Sequence, residues 1–114
     1  MSVEQPSTID FLVNDKRKRR AVLMVSDHLD WDHDEARHLS LLQDKFNYYI
    51  YFIESGKMVE MEPDLEGLPV AIIVWGKYPL SERALEFYER ARQRAIELGF
   101  SLEFDLGGKS FEKR

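Results

Sequence analysis

Residues 70–75, Val-Ala-Ile-Ile-Val-Trp, are apolar at every position. A run this short, apolar and rich in β-branched residues belongs to a central strand buried on both faces. The rest of the chain must therefore build a sheet around it. Residues 21–26, Ala-Val-Leu-Met-Val-Ser, have the same character. Ala21, Leu23 and Val25 point to one face of such a strand, and Val22 and Met24 to the other.

The remaining elements follow from spacing. Residues 8–13 are strand formers with Ile9, Phe11 and Val13 on one face. Asn14 and Asp15 open a turn, so a hairpin joins this strand to 21–26. Ala36, Leu39, Leu42, Phe46, Tyr49, Ile50 and Ile53 recur at helical steps and predict a helix over 32–54. Asp32 and Glu35 form a capping-box pattern, Trp31 is placed to staple against Ala36, and Gly56 stops the helix. Residues 58–61 read as a short edge strand, and Pro63, Asp64, Gly67 and Pro69 as a loop. A second helix is predicted over 82–98, with a Ser81 cap, a Leu80–Leu85 staple and a stripe of Leu85, Tyr88, Ala91, Ala95 and Leu98. Residues 101–106 alternate, with Leu102, Phe104 and Leu106 inward.

The order β-β-α-(β)-β-α-β predicts an α+β fold of two layers. An antiparallel or mixed sheet of four or five strands carries both helices on one face. The strand order stays open. With a real strand at 58–61, residues 21–106 follow a ferredoxin-like βαββαβ plan; one helix on each face would instead give three layers. Residues 1–106 form one domain, and 107–114 a loose tail. Two helices on one side would leave the second apolar set of both interior strands uncovered. Burial is worth about 25 cal/mol per Å², so such a face attracts a partner. A homodimer, or another protein seated there, is the expectation.

With no cysteine, disulfides and thiolate chemistry are excluded. No run approaches the ~18 apolar residues of a membrane span, and Met1–Ser7 lacks a signal-peptide plan. The reading is cytoplasmic, with no membrane association. The net charge is −5, but without the run Lys16–Arg20 the 16 basic residues fall to 11 against 21 acidic ones, leaving −10. So acidic a body disfavours nucleic acid, and the basic run lacks interleaved aromatics for base stacking. Gly107-Gly108-Lys109-Ser110 has no helix after it and is not a phosphate loop; no Gly-x-Ser-x-Gly elbow is present. No cofactor is implied.

All three histidines and five acidic residues crowd into residues 27–38. Asp27, His28, Asp30, Asp34 and His38 are the residues from which a divalent-metal or acid–base site would be drawn. His33 and His38 lie roughly 140° apart on a helix and cannot chelate together. Capping and dipole effects at the helix start account for most of these charges without any ligand. As a recognition surface, the same segment offers Asp30, Asp32, Asp34 and Glu35. Tyr48 and Phe52, with Leu41, add an aromatic edge of the kind enriched at interfaces.

The strings Ser26-Asp27-His28-Leu29-Asp30-Trp31-Asp32, His38-Leu39 to Leu42-Gln43 and Phe52-Ile53-Glu54-Ser55-Gly56, with Lys77-Tyr78-Pro79-Leu80-Ser81, resemble a family of short bacterial proteins, an uncharacterised domain of unknown function. The resemblance covers residues 3–106 and implies a compact stand-alone domain. It implies no activity, cofactor or catalytic residue. The functional expectation is a non-enzymatic protein-interaction module, immunity- or adaptor-like, acting as a homodimer. The alternative is a small-ligand or divalent-metal-dependent enzyme built on the Asp/His-rich segment.

Overall fold

The computed structural model describes residues 2–107. In chain order the elements are β1 (Phe11–Asp15), β2 (Arg20–Asp27), α1 (Glu35–Glu54), α2 (Lys57–Met61), a 3-10 turn (Pro63–Leu65), β3 (Val70–Gly76), α3 (Glu82–Glu97) and β4 (Phe100–Leu106). The fold is α+β, with a four-stranded mixed sheet in the order β1-β2-β3-β4. β1 pairs antiparallel with β2 through the expected hairpin, while β2–β3 and β3–β4 are parallel. Each parallel pair needs a crossover, supplied by α1 and α3. Both crossovers advance across the sheet in the same direction, so one handedness puts both helices on one face.

The main core lies under that layer. Ala21, Leu23, Val25, Val70, Ile72, Val74 and Leu102 from the strands meet Leu42, Phe46, Tyr49 and Phe52 of α1 and Ala84, Tyr88 and Ala95 of α3. The apolar run at 70–75 is the central strand it was read to be. On its other face Val22, Met24, Ala71 and Ile73 form a second cluster, with Val13 and Trp75 packed beside it.

The open apolar face expected there is not found. Val22, Met24, Ala71 and Ile73 are only 0, 4, 1 and 2% exposed within the single chain. Long side chains on the same face supply part of the cover. Phe11, opposite Met24 in the ladder, meets Trp75 edge to face at 6.4 Å. Arg20 reaches across β3 to Glu103, 2.9 Å away. This sheet face therefore needs no second copy to cover it.

Three local readings need correction. Residues 58–61 are not an edge strand but part of α2. Gly56, at φ +84°, breaks α1 in the left-handed region, and one further turn folds Met58 into the core. The ferredoxin-like plan falls with it. Ile9 lies before β1 and packs into the helix-side core, whereas Phe11 and Val13 face the other way. The α3 stripe keeps the expected Tyr88, Ala91 and Ala95 but begins with Ala84 and Phe87 in place of Leu85, which is exposed, and that leaves no Leu80–Leu85 staple buried. Most of the proposed tail, from residue 108 on, lies outside the described residues.

Candidate functional site

The Asp/His-rich segment begins where β2 ends. Asp27 closes the strand, and the loop of seven residues, 28–34, with α1's first turn brings His38 back over it. His38 Nε2 lies 2.6 Å from Asp27 Oδ2, and Nδ1 lies 2.9 Å from the Asp30 carbonyl oxygen. A carbonyl oxygen only accepts, so Nδ1 carries a hydrogen and donates it. Nε2 takes the Asp27 carboxylate as its hydrogen-bond partner. Asp27 Oδ1 accepts from the Leu29 amide. Trp31 stacks on the imidazole at 3.6 Å between centroids and seals its outer side. The two side chains are 1 and 3% exposed. Tyr88, from α3, is buried nearby. Its hydroxyl makes no hydrogen bond among the described residues, and burial, with the negative charge of Asp27, pushes the phenol well above its ordinary range.

The other acidic residues of the segment serve the turn and the helix start. Asp30 accepts from the amides of Asp32 and His33 through Oδ1, while Oδ2 lies 2.7 Å from His33 Nδ1. The backbone bond from His33 is the main reason its carboxyl sits below the usual range. Asp34, not Asp32, is the N-cap of α1, accepting from the Arg37 amide at 3.0 Å. Glu35 points away from the expected capping box. It accepts from the Ser81 hydroxyl at 2.6 Å and pairs with Arg83, so one carboxylate ties the starts of α1 and α3 together. Ser81 is the α3 N-cap, as its sequence position predicted. His28 pairs with Glu4 at 3.0 Å. Trp31 does not staple against Ala36, which is exposed.

The five candidate ligands Asp27, His28, Asp30, Asp34 and His38 are therefore not gathered around one point. Among the described residues no group of three or more His, Asp or Glu is placed to hold a metal ion. A small hollow of about 180 Å³ lined by His28, Leu29, Asp30, His33, Asp34, Arg37 and His38 is a concavity at this end, so four of the five candidates border it without converging as metal ligands. Of the aromatic edge, Phe52 is 4% exposed and belongs to the core, and Tyr48 is half-buried against it. Tyr51 is the exposed ring, at 50%.

Sequence reading missed a second buried polar centre. Lys45 Nζ donates to Asp10 Oδ1 at 2.7 Å, to the carbonyls of Gln5 and Thr8 at 2.6 and 2.8 Å, and to Thr8 Oγ1. Asp10 Oδ2 accepts from the Ser26 amide, and Tyr49 donates to the Met24 carbonyl while accepting from the Asp10 amide. Burial is the main cause that raises the Tyr49 phenol. Lys45 sits three residues after Leu42 and four before Tyr49, on the buried stripe. A lysine at a core-facing phase was the available signal.

A second concavity lies elsewhere. Between α1 and α3 is a cleft of about 400 Å³, with Phe46, Ile72, Leu102 and Ala95 at its base and Ile50, Phe87 and Ala91 on its walls. Phe46 and Phe87 stack at 5.9 Å. Gln43, Asn47, Arg90 and Arg94 are its polar lining. Each polar pair is spaced i, i+4 beside an apolar stripe, so each was visible on its own helix. Only the packing of the two helices puts them at one mouth.

No helix among the described residues is long and apolar enough to cross a membrane. No curated protein and no solved structure matches the chain. A family model does match, over residues 1–107. The chain thus belongs to DUF6572, a family of unknown function, as the strings from Ser26 to Ser81 suggested.

Proposed function

We infer that this chain works by binding and not by catalysis, and that its ligand face is the helical layer around the α1–α3 cleft. The observation that carries the reading is the state of the Asp27–His38 pair. Both imidazole nitrogens are engaged, both side chains are buried, and Trp31 lies over the ring. A general acid or base must reach the proton it moves, directly or through one water. Here neither nitrogen has a free direction toward a substrate. The pair instead fixes the β2–α1 connection. The cleft has the marks of a ligand site: a volume within the ~300–1,000 Å³ range, an apolar base and a few convergent polar groups.

The acidic helix start supports a partner less well. Asp30, Asp34 and Glu35 each have an intramolecular role, and of the four acidic residues there Asp32 alone makes no side-chain bond among the described residues. The test is a ¹H–¹⁵N spectrum of the labelled protein titrated with a small-fragment mixture. Shifts should concentrate on Phe46, Ile50, Phe87 and Ala91. Shifts confined to Asp30, Asp32, Asp34 and Arg37, or turnover of any fragment, would overturn the reading.

A further inference from the structure

We propose that the tip of the β1–β2 hairpin, residues 16–19, binds a short acidic segment of a partner protein. The site is separate from the α1–α3 cleft and does not depend on it. Lys16, Arg17, Lys18 and Arg19 are consecutive cations, and all four are exposed. None of them enters a salt bridge among the described residues. The nearest carboxylate along the chain is Asp15, and it is buried at 4% exposure. It accepts from the Lys18 amide at 3.3 Å and pairs with Arg20 at 3.4 Å. Arg20 also holds Glu103. Glu62, Asp64 and Glu66 stand exposed ahead of β3, at the same end of the parallel β2–β3 pair, and none of them forms a salt bridge with the tip.

Turn chemistry does not account for these residues. Tight loops favour Gly, Asn, Asp, Ser and Pro, and residues 16–19 include none of them. Arg19 sits at φ 54°, in the left-handed region that costs a residue with a Cβ and that glycine takes freely. Adjacent like charges add repulsion to that cost. An anion at the tip relieves the repulsion, and the guanidinium groups of Arg17 and Arg19 suit bidentate contact with carboxylate oxygens. The body of the chain selects the kind of anion. Without Lys16–Arg20 the 16 basic residues fall to 11 against 21 acidic ones, so a long polyanion running past the tip is repelled. The loop offers no aromatic ring for a base to stack on. It offers no apolar side chain to enter a bilayer, and a basic patch anchors stably only beside a second, apolar signal. A short run of Asp and Glu can end at the tip, within the ~8 Å over which exposed charges act at physiological salt.

Fluorescence anisotropy with labelled octaglutamate at low salt tests the idea. Octaglutamate should bind and be released as salt rises, and octalysine should not bind. The double substitution Arg17→Gln/Lys18→Gln changes only exposed side chains and should weaken octaglutamate binding about tenfold. Arg90→Gln/Arg94→Gln, an exposed pair on α3, should leave it unchanged. Arg19→Gly should raise the midpoint of urea unfolding, by relaxing the backbone, and still weaken binding about threefold. Absence of octaglutamate binding, or an equal loss from both double substitutions, would overturn the tip as the site. Tighter binding of octathymidylate than of octaglutamate, with the same dependence on Arg17 and Lys18, would replace the acidic segment by a nucleic acid. Co-pelleting with phosphatidylglycerol vesicles would replace it by a membrane surface. Fragment shifts at the α1–α3 cleft are a separate readout, so either reading can fall without the other.

Discussion

Lys45 and Asp10 meet at zero side-chain exposure. Removing one member of such a pair leaves a buried charge, at a cost of about 3–5 kcal/mol. Lys45→Met should lower stability by that amount in urea unfolding, and adding Asp10→Asn should restore part of it. A loss below about 1 kcal/mol would show the pair to be solvated. The two buried tyrosines give an opposed pair of expectations. Tyr49→Phe strips a donor from the Met24 carbonyl and an acceptor from the Asp10 amide, so it should cost about 1–3 kcal/mol. Tyr88→Phe deletes a hydroxyl that has no hydrogen-bond partner among the described residues. It should be neutral or stabilising by about 1 kcal/mol in the same assay. Lys45 and His38 explain why the α1 stripe was only half legible. An apolar periodicity cannot register a lysine or a histidine that is buried because distant segments supply its acceptors.

The parallel strands of the sheet depend on close approaches at their ends. Gly76 closes β3, and a Cβ there would collide with the Phe104 ring on β4. Gly76→Ala should therefore cost about 1–3 kcal/mol by overpacking. It should also disturb the Phe104 ring resonances, and unchanged ring shifts would count against that contact. Element existence followed from the sequence wherever the local signal was strong: the hairpin, the run at 70–75, Ser81 at the start of α3, and the alternation at 101–106. The strand expected at 58–61 failed because four residues carry too little periodicity to separate a strand from one turn of helix. The start of α1 moved from Asp32 to Asp34 because Asp30 holds the preceding turn, a role that any of the neighbouring aspartates fits by composition.

For the molecule as a whole, the two buried phenols set a limit at high pH. Tyr49 and Tyr88 are both raised by burial. In the unfolded chain they lose their protons near pH 10, while in the folded chain they keep them. The folded state then binds more protons than the unfolded one, so stability falls as pH rises above about 10 and is unaffected below it. Each phenol contributes a slope of up to about 1.4 kcal/mol per pH unit. Chemical unfolding between neutral pH and pH 11 should show this loss, and Tyr88→Phe should flatten it. An equal slope in the variant would mean that Tyr88 is not buried as a neutral phenol.

What the amino-acid order determined by itself was the two-layer α+β plan, because periodicity and caps are local and each strand or helix carries its own pattern. What the tertiary structure decided was every relation between distant side chains. The covered second face of the sheet, the Lys45–Asp10 and Asp27–His38 pairs, and the arginines over the α1–α3 cleft all depend on which elements pack together. The physical reason is that burial and pairing belong to contacts made across the fold, and no window of the chain contains both partners.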